Sequence, residues 1–137
     1  MDDLPGRTIV KVAWIGNALF ALTAVPVALG AESVEGFAVG VALVAFGLSM
    51  VVWVWALGAA FVRSANGDDI AVASLFLTAG EVPRSVRRHL FGALLVCLLI
   101  AAATAAAEPF GVLVPMLPLG LIGLWGARHG TYPVRTR

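Results

Sequence analysis

Charge is scarce in this chain: only 12% of its 137 residues are Asp, Glu, Lys or Arg, where roughly 25% is usual in a water-soluble domain. The formal net charge of +1 comes from nine basic residues scattered over several segments, which gives no basic stripe for nucleic acid. One cysteine, Cys97, excludes an internal disulfide; set in the apolar run Leu94-Leu95-Val96-Cys97-Leu98-Leu99, it reads as a small apolar helix residue. No Asp, Glu or His lies well inside an apolar run, where proton-coupled transporters and intramembrane enzymes usually place the group that moves a proton or binds an ion. No CxxC, HExxH or carboxylate cluster is present, so neither metal nor cofactor is expected. With no nucleophile motif and no glycine-rich phosphate loop after a strand, the chain is not expected to be an enzyme.

What abounds is apolar surface. Hydrophobic residues make up 61% of the sequence, against roughly 45–50% in soluble domains. The few polar residues cluster between long apolar runs, so lipid rather than water has to cover them. About 20 apolar residues in a helix cross a hydrocarbon core of roughly 30 Å. Four stretches qualify: 8–29, 36–62, 85–107 and 110–127. The expected fold is all-α, a polytopic four-helix membrane bundle of one domain, 1–137, built as two antiparallel hairpins because short loops join spans one to two and three to four. A cleaved leader ending near Ala28 and Gly30 is the competing reading of the N-terminus. The acidic start Met1-Asp2-Asp3 and the length of the apolar stretch speak against it.

Basic residues order the topology. Arg7 and Lys11 flank the first span, Arg63, Arg84, Arg87 and Arg88 the loop over about 63–84, and Arg128, Arg135 and Arg137 the end of the fourth. The opposite side carries only Glu32, Glu35 and Glu108. The positive-inside rule then puts both termini and the middle loop in the cytoplasm, in a multi-pass protein of the cytoplasmic (inner) membrane. Lys11 is close enough to its end for the ammonium to reach the headgroups. Trp14 and Trp125 fit an aromatic belt at that interface, while Trp53 and Trp55 sit deeper, to pack between helices. Within the middle loop, Asp69 to Gly80 reads as a short helix lying at the membrane interface or against the bundle, capped by Asp68 or Asp69 and ended by Gly80. Pro83 then suits the first turn of the third span.

Helices in lipid associate through close packing of small residues. Gly36, Gly40, Gly47 and Gly58 fall within about 40° of one another at about 100° per residue, a glycine groove for packing within the chain or between chains. Ala42, Ala45, Ser49, Ala56 and Ala60 form a stripe on the opposite side, and Ala101 to Ala107 also lets a neighbour come near. Pro115 and Pro118 predict a kink near the middle of the fourth span. Asn17, a third of the way along the first span, is the candidate intramembrane polar site, as an interhelical hydrogen-bond donor or a ligand group. Glu108, before Pro109 in an outer turn, is expected to be a solvated carboxylate. Arg84, Arg87 and Arg88 suit lipid phosphates or a partner. Arg128 and His129 either dock a partner or headgroup, or complement the helix dipole ahead of a stop at Gly130.

Two segments look familiar. Ser74-Leu75-Phe76-Leu77 with Val82-Pro83-Arg84-Ser85-Val86-Arg87-Arg88, and Gly111-Val112-Leu113-Val114-Pro115 continuing to Leu124-Trp125-Gly126-Ala127-Arg128-His129-Gly130-Thr131-Tyr132-Pro133, resemble small uncharacterised four-span membrane proteins of actinobacteria. The resemblance covers roughly the second half of the chain. It implies an integral protein of the cytoplasmic membrane and transfers no catalytic residue. The expected role is a non-catalytic accessory, scaffold or interaction subunit, with the bilayer and a homo-oligomer or membrane-protein partner as its contacts. The alternative is a small oligomeric transporter or channel using Asn17 and the proline kink.

Overall fold

The structure is a computed structural model and describes residues 6–70, 82–130 and 132. Its elements are helices: α1 Arg7–Ala28, a 3-10 turn Glu32–Val34, α2 Glu35–Ala65, α3 Arg84–Thr104, a second 3-10 turn Pro109–Leu113, and α4 Met116–His129. With the 3-10 turns counted into the segments they begin, four helices are long and apolar enough to cross a membrane.

Two helix ends share one device. After α1 the N–H of Ala31 bonds Pro26 O and that of Gly30 bonds Val27 O; after α2 the N–H of Asp68 bonds Arg63 O and that of Gly67 bonds Ser64 O. Gly30 and Gly67 hold φ of 99° and 109°, the left-handed turn in which a glycine closes a helix without a Cβ penalty. This stop lets α2 run three residues past the expected Val62, so that Arg63 lies on helix rather than in loop.

The chain inverts the usual distribution of apolar residues. Its core mixes alanine and other small residues with large ones, among them Phe20, Leu90, Ile122 and Trp125. Leu22, Phe37, Val54, Phe61 and Leu99 point outward. A soluble monomer rarely exposes so much contiguous apolar surface, whereas lipid accommodates it without cost.

α4 is the centre of the bundle. Of its span 67% is buried, against 22% for that containing α2. α2 runs beside α4 in the same direction, with Trp53 against Gly120 and Arg63 beside Ala127 and Gly130. α1 runs against α4: Gly6 meets Trp125, Gly16 approaches Leu117, and Phe20 meets Gly111. α3 packs chiefly on α1, where Trp14 approaches Gly92. The α2–α4 and α1–α3 pairs thus pack more extensively than the pairs joined by short turns, α1–α2 and α3–α4.

Several expectations change. In the fourth span the helix is broken at Pro115 rather than nearer its middle: a 3-10 turn occupies its N-terminal end and α4 begins at Met116, with Pro115 as N-cap. Pro118 falls in the first turn, where its missing N–H would have lacked a helical partner anyway. Pro83 stands one position before α3, as its N-cap, and α3 ends at Thr104 rather than Ala107. Trp125 is not a belt residue, being 1% exposed in the core. Trp53 does pack between helices, but Trp55 is exposed. Of the segment expected as an interfacial helix, Asp69 and Ile70 are not helical and 71–80 lies outside the described residues.

Candidate functional site

An open feature of the bundle is a groove between α1 and α2, with Leu117 of α4 at its wall. Of α2's two small-residue faces, the stripe Ala38, Ala42, Ala45, Ser49, Ala56 and Ala60 is buried. The glycine face is not: Gly36, Gly40, Gly47 and Gly58 are exposed, and a β-carbon built on any of them would meet nothing within 4 Å. Among the described residues the glycines therefore do not pack within the chain, and the alanine stripe does. The physical reason is α4, whose own Gly120 brings Trp53 and Val52 of α2 close and fixes which side of α2 faces inward.

Gly36 and Gly40 open into a cavity of about 610 Å³ whose walls also include Ile15, Leu19 and Phe37, with Leu117 of α4 contributing. Its lining side chains are all apolar. Such a surface suits a hydrocarbon chain or another apolar helix, since it offers an ion or polar solute no side-chain ligand.

Asn17 is 5% exposed, and its amide nitrogen donates to Ala93 O of α3 at 2.8 Å. The structure thus places it as an interhelical bond. Bonds of this kind average about 0.6 kcal/mol within membranes and reach about 1.7. Asn17→Ala is expected to lower unfolding stability in detergent by about 1 kcal/mol. A midpoint equal to wild type would show that the bond adds nothing to α1–α3 packing.

The basic end of the bundle holds a cluster whose connections the sequence does not announce. Arg63 donates Nε to Asp68 Oδ2 at 2.8 Å and Nη1 to Gly130 O at 2.7 Å and Ala127 O at 3.2 Å. Its guanidinium lies 5.0 Å from the centre of the Tyr132 ring, and the Tyr132 hydroxyl donates to Gly126 O at 2.8 Å. Burial pushes the Tyr132 phenol above its ordinary range, and the Arg63 charge opposes that in part. These groups cover carbonyls at the C-terminus of α4; Gly126 O accepts from the Gly130 N–H at 3.0 Å as well as from Tyr132, while Ala127 O has Arg63 as its donor. Gly130, extended rather than left-handed, is needed because Gly126 O and the Tyr132 hydroxyl occupy the space of a side chain.

Arg128 is exposed and stacks over Trp55 at 5.2 Å, while the exposed His129 ring lies 5.7 Å from that of Trp125. Arg84, Arg87 and Arg88 are exposed at the start of α3. Arg84, Arg87 and Arg88 thus stand on α3, and Arg128 and His129 on α4. Cys97 is buried in the core. Among the described residues no group of three or more His, Cys, Asp or Glu could hold a metal ion.

Glu108 departs most from expectation. It is not solvated but 1% exposed, enclosed where the second 3-10 turn folds back over α1. Comparison of the chain with protein-family models, curated proteins and solved structures found no match.

Proposed function

We propose that this chain is a non-catalytic subunit of the cytoplasmic membrane that joins another membrane helix, from a second copy or a different protein, at the α1–α2 groove. Both termini and the α2–α3 connector face the cytoplasm in this reading, with the connector's short helix lying along the interface. It rests on the basic residues at one end of the four segments and the acidic residues at the other. The resemblance of the second half to small four-span actinobacterial proteins belongs to the same proposal.

One observation carries the reading: the glycine face of α2 is open, with Gly36 and Gly40 at the wall of an apolar groove. In hydrocarbon, glycines let two backbones approach and gain van der Waals contact that a lipid chain makes less well. The groove's apolar walls support a helix as occupant over the solute of a transporter.

Gly40→Ile is the test. Beyond the adjoining residues and turns of α2 itself, no atom of the described residues lies within 4 Å of the new β-carbon, so unfolding of the isolated chain should be unchanged. Association, read by energy transfer between labelled copies in liposomes or by crosslinked partners in native membranes, should weaken about five-fold, the equivalent of about 1 kcal/mol. Equal association of wild type and variant, or none in either, would defeat the proposal.

A further inference from the structure

The outer end of the bundle contains a carboxyl group that the proposed role does not use. Glu108 follows α3, its N–H bonded to Thr104 O at 2.8 Å and its carbonyl accepting from Gly111 N–H at 3.2 Å. This turn folds the side chain inward. A β-carbon on Gly111 would lie 2.8 Å from Glu108 Oε2 and 3.0 Å from two ring atoms of Phe20, so the absence of a side chain at 111 makes the seat. Both carboxylate oxygens are buried and have no hydrogen-bond partner among the described residues.

An ionised carboxylate in that position needs a counter-charge, and this end of the chain has none to give. No Lys, Arg or His occurs between Lys11 and Arg63, or between His89 and Arg128. The groups facing Glu108 are Phe20 from α1, Thr104 from α3, Phe110 and Gly111 from the 3-10 turn, and Glu35 from the start of α2. Glu35, the titratable one among them, is also an acid and raises the cost of a second negative charge. Burying an unpaired charge costs far more than burying the neutral acid, which a bound proton supplies.

We infer that Glu108 is a proton-binding site: its carboxyl seats in the bundle as the neutral acid, and ionisation favours release of the α3–α4 turn from α1. Burial pushes this carboxyl above its ordinary range, with a smaller push from Glu35. The Phe110 and Gly111 N–H groups oppose the shift, though neither reaches hydrogen-bond geometry with the carboxylate. Below the ordinary carboxylate range, about 4, the acid is protonated whether seated or released and the site adds no pH dependence. As pH rises from there toward the raised value, only the released form loses its proton, so seating weakens steadily.

Infrared titration and thermal unfolding of the full chain in lipid nanodiscs test this. Wild type should show a protonated-carboxyl band persisting well above the ordinary range, and a Tm falling by about 5 °C from about pH 5 to about pH 8. Glu108→Gln, isosteric with the neutral acid, should lack the band and hold a level Tm. Glu35→Gln, at an exposed position, should keep the band, which tests the assignment even if the first variant folds poorly. A band lost in Glu35→Gln but kept in Glu108→Gln would overturn the inference. So would a carboxyl titrating near 4, or a wild-type Tm raised at constant pH by sodium or calcium but not in Glu108→Gln, which would make the ligand a metal cation.

Discussion

Gly120→Leu is expected to destabilise the bundle by about 3 kcal/mol, read as loss of unfolding free energy in detergent. A β-carbon at this position lies 3.0 Å from Trp53 Cδ1 and Nε1 and 3.3 Å from Val52 Cγ1. Trp53 cannot yield freely, because its indole N–H donates to Met116 O at 3.2 Å and so ties α2 to the start of α4. Leucine must displace that ring. Overpacking of a filled core costs about 1–3 kcal/mol, and the lost hydrogen bond about 1 more. Gly120→Ala asks only a few tenths of an ångström and should cost less than about 1 kcal/mol. Equal stability of the leucine variant and wild type would show that α2 and α4 are not held at this distance.

The second large effect is at the opposite end of the same pair. Arg63→Ala should cost about 2–3 kcal/mol, since it strips two charge-assisted hydrogen bonds from the α4 terminus, each worth about 1.5 kcal/mol, the low end for a charged donor because the pair is only part-buried. The pairing with Asp68 adds little, because both side chains are more than a quarter exposed and an accessible ion pair contributes about 0–1 kcal/mol. Asp68→Asn should therefore be near neutral, and Arg63→Lys intermediate, since an ammonium keeps the charge but not the planar fork. Chemical unfolding of the three variants separates these contributions. An Asp68→Asn loss as large as that of Arg63→Ala would assign the effect to the ion pair instead.

The four spans are legible in the sequence because each is an apolar run about 20 residues long with its charges at the ends. The buried stripe on α2 is legible for a related reason: Ala42, Ala45, Ser49, Ala56 and Ala60 recur at helical spacing. Periodicity reveals faces, however, and not neighbours. It cannot decide that α4 takes the alanine side of α2 and leaves Gly36, Gly40, Gly47 and Gly58 open, because that choice is fixed by Trp53 and Gly120 across a long separation. Arg63 shows the same limit. Its position marks a boundary, but its bonds to Ala127 and Gly130 require two helices that are not consecutive to lie side by side.

Local signals also mislead where a tertiary contact overrides them. A glutamate before a proline in a turn reads as solvated, and Glu108 is buried because Gly111 leaves room for the chain to fold back over Phe20. A hint was available in Gly111 three residues on and in the lack of any cation at that end. Trp125 reads as an interfacial ring, yet the start of α1 at Gly6 presses against it. The exact helix stops were more accessible, since Gly30 and Gly67 each stand near the end of a helical run.

That the chain spans a membrane with its basic end in the cytoplasm is the central claim of the proposed role, and cysteine labelling in intact cells measures it most directly. In a Cys97→Ala background, Ser33→Cys lies in the exposed turn before α2 and Asn66→Cys at the exposed end of α2. A membrane-impermeant maleimide should modify Ser33→Cys in intact cells and Asn66→Cys only after the membrane is opened. Modification of Asn66→Cys in intact cells, with Ser33→Cys protected, would contradict the account.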